Sequence, residues 1–371
     1  MNGANRLRRT ISLLREHNSQ QIQNFLREKI AEYDGFCETY LKYHPLRLIL
    51  FITFKCDLRC RWCGLWETEQ SKATRNSKIM EFDLFQKVID RFRDSMWVEL
   101  TGGEPFLHSS LFEMIDYAAK RRIKVVIPTN GTHIQDNIER IVRSHLSVLN
   151  ISLNVLQENE LEKGNTNLAE LSNKILENIS QLVEKRNTYH SNLKLTLSYI
   201  CTKDNYKNIP RIVKLADDLK VDGLNFFNLM PFTLPKDKCL YEDDDEVVEV
   251  IRLVPQTKTP MKIVMPRLYK KGDSNPKCQV PFTSLAIDPE GNTTPCPVRM
   301  FNEKLGNVKN DMNIWNSPFF QLRREIFSSD NKPLLDFCKT CPCLVAHYRT
   351  YTSWTSLMAK GLKLFQAFKI I

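Results

Sequence analysis

Three cysteines in the segment FKCDLRCRWCGLW, Cys56, Cys60 and Cys63, have the type and spacing to bind metal. Three thiolates do not complete the four-ligand tetrahedron of a structural zinc site, and no histidine lies within the loop to make up the number. A four-iron, four-sulfur cluster held by three cysteines instead leaves one iron open for a small molecule. The plainer alternative is a zinc or structural site that borrows a cysteine from elsewhere. The chain has 11 cysteines in all. Cys278, Cys296, Cys338, Cys341 and Cys343 form a second grouping, while Cys37, Cys201 and Cys239 stand apart. Disulfides rarely persist inside cells, so metal binding explains the groupings better than oxidation.

The first cysteine loop leaves RLILFITF (47–54), a short apolar run that reads as a strand. EFDLFQKVIDRFRD (81–94) has the helical spacing of Phe82, Phe85, Val88, Ile89 and Phe92; WVELT (97–101) is strand-like and SLFEMIDYAAKRR (110–122) helical. The alternation continues through IKVVIPT (123–129), a helix near 136–144, SVLNISLN (147–154), a long helix near 168–186, LKLTLSYI (193–200), a helix near 207–219 and GLNFFNLM (223–230). Such alternation implies an α/β fold with a parallel sheet, here a partial (β/α)6 barrel whose strand ends open onto the ligand site.

The pattern stops near residue 235. The expected organisation is an N-terminal helical segment of two stretches over 1–45, the partial barrel over 46–235, and a linker over 236–277. The linker contains a helix in YEDDDEVVEVIRLV (241–254), whose acidic first turn suits its dipole. A β-hairpin and helix domain over 278–345 and an amphipathic helix over 346–371 complete the chain.

Further polar motifs fall at strand ends. TGGEP (101–105) ends the second strand: Gly102 and Gly103 permit close backbone approach to a ligand, and Glu104 accepts hydrogen bonds from an ammonium group. PTNGT (128–132), with Asn130, ends the third strand, and Ser152 and Asn154 end the fourth. Asn205, after the fifth, reads as a cap for the next helix.

The spacing C-x3-C-x-aromatic-C, with Trp62 as the aromatic residue, together with the Gly-Gly-Glu segment after the second strand, resembles the radical S-adenosylmethionine (SAM) superfamily. The resemblance implies a [4Fe-4S] cluster on Cys56, Cys60 and Cys63 whose open iron takes the amino and carboxylate groups of SAM. Trp62 would lie near the adenine, Gly102, Gly103 and Glu104 would grip the amino group, Asn130 would shape the pocket, and Ser152 and Asn154 would contact the ribose. One electron then breaks SAM to methionine and a 5′-deoxyadenosyl radical, which removes a hydrogen atom from a substrate. The electron would come from a donor such as a flavodoxin or ferredoxin.

In the second grouping, Asp288-Pro289-Glu290-Gly291 turns between two short strands, with Cys278 and Cys296 flanking the hairpin. After the helix-like WNSPFFQLRREIF comes Cys338-x2-Cys341. Four thiolates suit zinc as readily as a cluster. The spacing is similar to that of the auxiliary-cluster domain called SPASM, or its shortened form, Twitch. It implies one auxiliary [4Fe-4S] cluster on Cys278, Cys296, Cys338 and Cys341, with Cys343 as an alternative to Cys341 and His347 as a further candidate ligand.

Three functions follow from this reading. The leading one is dehydrogenation or epimerisation of a carbohydrate-like or other small metabolite, with Cys239 or Cys201 returning a hydrogen atom in the epimerising case. The second is maturation of a ribosomally made peptide, and the third is a non-enzymatic iron–sulfur or zinc scaffold. Net charge is +10, but the excess is dispersed and accompanies no nucleic-acid motif, so no nucleic-acid partner is expected. No apolar run approaches the roughly 20 residues of a membrane span, and the N-terminus lacks the apolar core of a signal peptide, so a cytoplasmic protein is expected. Trp354, Leu357, Met358, Leu362, Phe365 and Phe368, with three lysines, would allow the last helix to contact a membrane surface.

Overall fold

A computed structural model describes residues 15–66, 78–154, 168–230, 236–254, 259–269, 278–300 and 303–328, together with Leu335 and Cys338. The first helix is α1 (Ser19–Tyr33), then β1 (Arg47–Thr53), α2 (Phe82–Arg91), β2 (Trp97–Gly102), α3 (Leu111–Lys120) and β3 (Lys124–Thr129). Next come α4 (Ile138–Arg143), β4 (Val148–Ser152), α5 (Leu168–Thr188), β5 (Lys194–Cys201), α6 (Ile209–Asp218) and β6 (Gly223–Asn228). The last elements are α7 (Asp245–Leu253), β7 (Lys262–Val264), α8 (Val280–Thr283), β8 (Ser284–Ile287), β9 (Thr293–Thr294) and α9 (Pro318–Ser328). The fold is an α/β partial barrel with an added C-terminal portion.

All strands except β9 run parallel, in the order β7-β6-β5-β4-β3-β2-β1-β8-β9. The side-chain alternation of a strand divides the sheet into two unlike faces. Leu48, Leu50, Ile52, Val98, Leu100, Val125, Ile127, Leu149, Ile151, Leu195, Leu197 and Leu224 are closed to solvent and pack with helix residues such as Phe85, Ile89, Met114, Ile115, Ile141, Ile179 and Ile212. Each such burial contributes about 1.5–3 kcal/mol. On the other face Glu99, Thr101, Asn150, Ser152, Thr196 and Asn225 are partly open. That face, which also carries Ile49, Phe51, Val126, Pro128 and Phe227, lines the inside of the partial barrel.

The sheet extends beyond residue 235, where the alternation read from the sequence ends. β7 adds to the β6 edge. β8, the first strand of the C-terminal hairpin, pairs parallel with β1 from Arg47↔Ser284 to Leu50↔Ile287. Within the N-terminal segment α1 is described, with a capping box between Asn18 and Gln21. Its buried residues are polar: Gln21 Nε2 donates to the carbonyls of Ser95 at 3.0 Å and Arg121 at 3.1 Å, and Asn24 Nδ2 to that of His44 at 3.0 Å. α1 thereby serves carbonyl groups left over where α2 and α3 end. Residues 1–14 and the C-terminal helix expected over 346–371 lie outside the described residues. Among the described residues no helix is long and apolar enough to cross a membrane.

Candidate active site

The loop bearing Cys56, Cys60 and Cys63 emerges from the C-terminal end of β1, and its two ends are pinned together. Phe54 N donates to Lys78 O at 3.2 Å and Met80 N to Ile52 O at 2.8 Å. The three thiols are partly buried and none of them is in a disulfide. Burial, with smaller contributions from the Asp57 and Glu104 carboxylates, pushes the Cys56 thiol up to about 12 against a hydrogen bond from the Leu58 backbone; burial also raises Cys63. Iron must therefore displace protons to bind these sulfurs. Among the described residues no three His, Cys, Asp or Glu side chains converge closely enough to hold a single metal ion.

Gly102 and Gly103 make the close approach expected of them, but to the cysteine loop itself. A Cβ on Gly103 would lie 1.9 Å from Lys55 O, and one on Gly102 2.1 Å from Thr53 O. Gly103 N donates to Thr53 O and Glu104 N to Lys55 O, both at 2.7 Å. The glycines let β2 dock backbone to backbone on the start of the loop.

Glu104 is then turned inward, 1% exposed. Its Oε1 accepts from Phe106 N at 3.1 Å and Thr129 Oγ1 at 2.9 Å, and its Oε2 from Asn130 N at 2.8 Å. Burial raises the carboxyl to about 7 against these three donors. A carboxylate offers about four lone-pair positions, and no basic side chain of a described residue forms an ion pair with Glu104. A buried carboxylate with a spare acceptor position and no cation fits a ligand that brings its own ammonium group.

Asn130 reaches back to the cysteine loop: its Nδ2 lies 2.7 Å from Asp57 Oδ1 and 4.0 Å from Cys56 Sγ. At the end of β4, Asn154 Nδ2 donates to Ser152 Oγ at 2.7 Å, while Asn154 Oδ1 accepts from Ile200 N at 2.9 Å. These bonds tie β4 to β5 and leave one N–H of Asn154 for a ligand. Asn205 does not cap the following helical turn; its side chain closes the turn after β5, accepting from Thr202 N at 2.8 Å and donating to Ile200 O at 3.1 Å. Trp62 is 8% exposed and packs with Leu229, Cys239 and Tyr269.

Both isolated thiols at this end of the sheet are closed to solvent. Cys201 shares the helix-facing side of β5 with Leu195, Leu197 and Tyr199 and belongs to the main core. The loop position expected for Cys239 is polar in sequence, yet the side chain is 0% exposed behind Trp62 and Tyr269, its Sγ 3.4 Å from Leu229 O. Burial, the largest cause, raises it to about 11.

In the second cysteine grouping, Cys278 precedes α8, Cys296 follows β9 and Cys338 is buried against the main core. Asp288 holds the hairpin turn, with Oδ1 accepting from Glu290 N and Asn292 N at 2.9 and 2.8 Å. Cys341, Cys343 and His347 lie outside the described residues. Met300 and Ala286 pack with Phe51, Phe54, Leu65 and Cys63, so the C-terminal portion abuts the first cysteine loop. Asp57 joins the site without being a candidate in the sequence, and Thr129 and Thr132 join it from within PTNGT; polar side chains at the ends of β1 and β3 are the available signal.

Residues 50–231 match the radical SAM superfamily and residues 278–342 match the SPASM iron–sulfur cluster-binding domain. Together these two matches place the chain in the radical SAM superfamily. Within that superfamily it is of the SPASM type, whose two domains bring a SAM-binding [4Fe-4S] cluster, an auxiliary iron–sulfur centre and SAM.

It is 29% identical over 196 residues to the tungsten-containing aldehyde ferredoxin oxidoreductase cofactor-modifying protein of Pyrococcus furiosus, covering 50% of this chain and 52% of that one. The chain thus spans about half the length of this curated relative. Streptococcus suis SuiB bound to precursor peptide SuiA superposes with a TM-score of 0.60 at 17% identity, over 85% of this chain and 72% of SuiB. Native anSMEcpe with bound SAM gives 0.54 at 15% identity, over 88% of this chain and 99% of that one. These two likenesses are of fold.

Proposed function

We propose that this enzyme uses SAM cleavage to dehydrogenate a hydroxyl-bearing small molecule of carbohydrate-like character. The observation that carries the SAM site is the buried Glu104 carboxylate beside the cysteine loop, with three hydrogen bonds and one acceptor position left. When bound, the clusters and SAM supply a one-electron reductant, a 5′-deoxyadenosyl radical and an acceptor for the second substrate electron.

The chain's own residues bind and orient. Cys56, Cys60 and Cys63 would hold the SAM-binding cluster, and Cys278, Cys296, Cys338 and either Cys341 or Cys343 would hold the auxiliary one. Glu104 orients the SAM ammonium, Trp62 excludes water from one wall, and Ser152 with the remaining N–H of Asn154 faces the ribose. A polar cluster on the inner face supports a hydroxyl-bearing substrate: Asn150 Nδ2 donates to Ser198 Oγ at 3.2 Å and Thr196 Oγ1 to Asn150 Oδ1 at 3.0 Å, leaving further hydrogen-bonding capacity. Dehydrogenation is favoured over epimerisation because both candidate hydrogen-atom donors, Cys201 and Cys239, are 0% exposed.

Incubation under argon with SAM, dithionite and a panel of polyols and amino sugars is expected to release 5′-deoxyadenosine and to yield a product lighter by two hydrogens. Cys56→Ala should abolish both. Solvent deuterium incorporated at unchanged oxidation level, and lost in Cys239→Ala, would instead establish epimerisation.

A second reading, modification of a peptide, draws on the likeness to SuiB bound to precursor peptide SuiA. A mass change in a co-expressed precursor peptide, with no turnover of small polyols, would favour it.

A further inference from the structure

We infer that Asp57 is a positioning residue that aims the Asn130 side-chain amide at the Cys56 sulfur and sets how readily the cluster on that loop is reduced. The inference rests on the assignment of Cys56 as a cluster ligand. Asp57 is a solvent-edge residue between two of the cysteines, yet its carboxylate is the meeting point of two strand ends. Oδ1 accepts from Asn130 Nδ2 at 2.7 Å and Oδ2 from Thr132 Oγ1 at 2.6 Å, and His133 Nε2 stands 3.4 Å from Oδ2.

Asn130 has little freedom left. Its backbone N–H is taken by Glu104, and its Oδ1 accepts from Thr132 N at 2.9 Å, with Thr132 Oγ1, whose single hydrogen is shared with Asp57, 2.7 Å away. With one amide hydrogen held by Asp57, the amide nitrogen is left 4.0 Å from Cys56 Sγ, within hydrogen-bonding range of sulfur.

Two opposing effects follow. An N–H donor at a ligating sulfur stabilises the reduced, more negative cluster, whereas the Asp57 charge beside it disfavours the incoming electron. Asp57 therefore both supplies a charge and holds the amide that counters it. Asp57→Asn keeps a carbonyl acceptor for the Asn130 amide while removing the charge, so its cluster should be easier to reduce. Asn130→Ala removes the donor and should make reduction harder. Thr132→Val leaves charge and amide in place and should move reduction least.

The test is an EPR-monitored redox titration of the reconstituted holoenzyme without SAM, following the signal that SAM perturbs in the wild type. At the poise that half-reduces the wild type, the reduced-to-oxidised ratio should rise about tenfold in Asp57→Asn and fall several-fold in Asn130→Ala, at wild-type iron and sulfide content. Superimposable titrations in the two variants at full iron loading would overturn the inference and leave the cluster assignment intact. Loss of iron from both variants, with an unchanged Thr132→Val, would assign them a purely structural role and also overturn it. A wild type that takes up no iron would overturn the cluster reading itself.

Discussion

The loop end of the sheet and the seam between the N-terminal segment and α9 both bury ionisable side chains, but they spend them differently. In the seam, Arg324 is 0% exposed and donates to the carbonyls of Pro281, Thr39 and Trp315 at 2.9, 2.9 and 2.6 Å and to Asn316 Oδ1 at 2.9 Å. Its guanidinium also lies 4.2 Å from the centre of the Trp315 ring. Asn316 and Trp315 complete the seam by bonding Leu41 and Tyr43. Four of the five guanidinium donors are thus satisfied by protein. At the loop end, Glu104 is equally buried but retains an acceptor position and has no cationic partner among the described residues. Saturated polar groups lock segments together; unsaturated ones in a concave site are available to a ligand.

Four measurements would break or sharpen this contrast. Arg324→Met should have the largest effect, destabilising the protein by about 3–5 kcal/mol because several buried carbonyls lose their donor at once. Thermal melting of iron-free protein should show a fall of roughly 10 °C, while 5′-deoxyadenosine release per folded molecule stays near wild type. A drop in nucleoside release at unchanged Tm would collapse the distinction between the regions.

Gly103→Ala should cost about 3 kcal/mol, since the added methyl meets the Lys55 carbonyl rather than a movable side chain. Iron content after reconstitution should fall with it, and an alanine variant with full iron would show that the dock is looser than the geometry implies. Glu104→Gln should weaken SAM binding to iron-loaded protein by about 10–100-fold, the loss of one charge-assisted hydrogen bond. Equilibrium dialysis at wild-type iron content checks this, and unchanged affinity would remove Glu104 from the SAM site.

The smallest effect belongs to Glu28 on α1. Its carboxylate is buried, Oε2 has no hydrogen-bond partner among the described residues, and burial raises the group from 4.5 to about 8 despite nearby Lys29. A carboxyl whose folded value is raised favours folding in its protonated form, so its penalty is absent below about pH 4.5, grows as pH rises and is complete above about 8. Glu28→Gln should therefore stabilise the protein by about 2 kcal/mol at pH 9 and hardly at all at pH 4.5. Parallel melting curves at the two pH values would refute the burial penalty on this acid.

Much of the fold was legible because the helix-facing residues of β1 to β6 are apolar at strand spacing and the intervening helices carry apolar faces of their own. β7 escaped notice because three residues, Lys262–Val264, carry too little pattern. The parallel addition of β8 to β1 was equally hidden, since the partners are more than two hundred residues apart. At the site, the cysteines, Gly-Gly-Glu and Asn130 were readable from type and spacing. Asp57 and Arg324 were not: a charged residue in a loop or helix reads as solvated until its partners, 73 and 285 residues away, are known. Cys239 failed in the opposite sense, sitting among Pro, Lys and Asp in sequence yet packed behind an aromatic wall.

By itself the sequence determined the strand–helix alternation, the family and the residue types for an iron–sulfur and SAM site, because periodicity and ligand spacing are local properties of the chain. Only the tertiary structure decided that the paired glycines serve loop docking, that Glu104 keeps an acceptor position, and that Cys201 and Cys239 are sealed away. Those outcomes depend on which distant backbone or side chain reaches a group first, and the assembled sheet alone decides that.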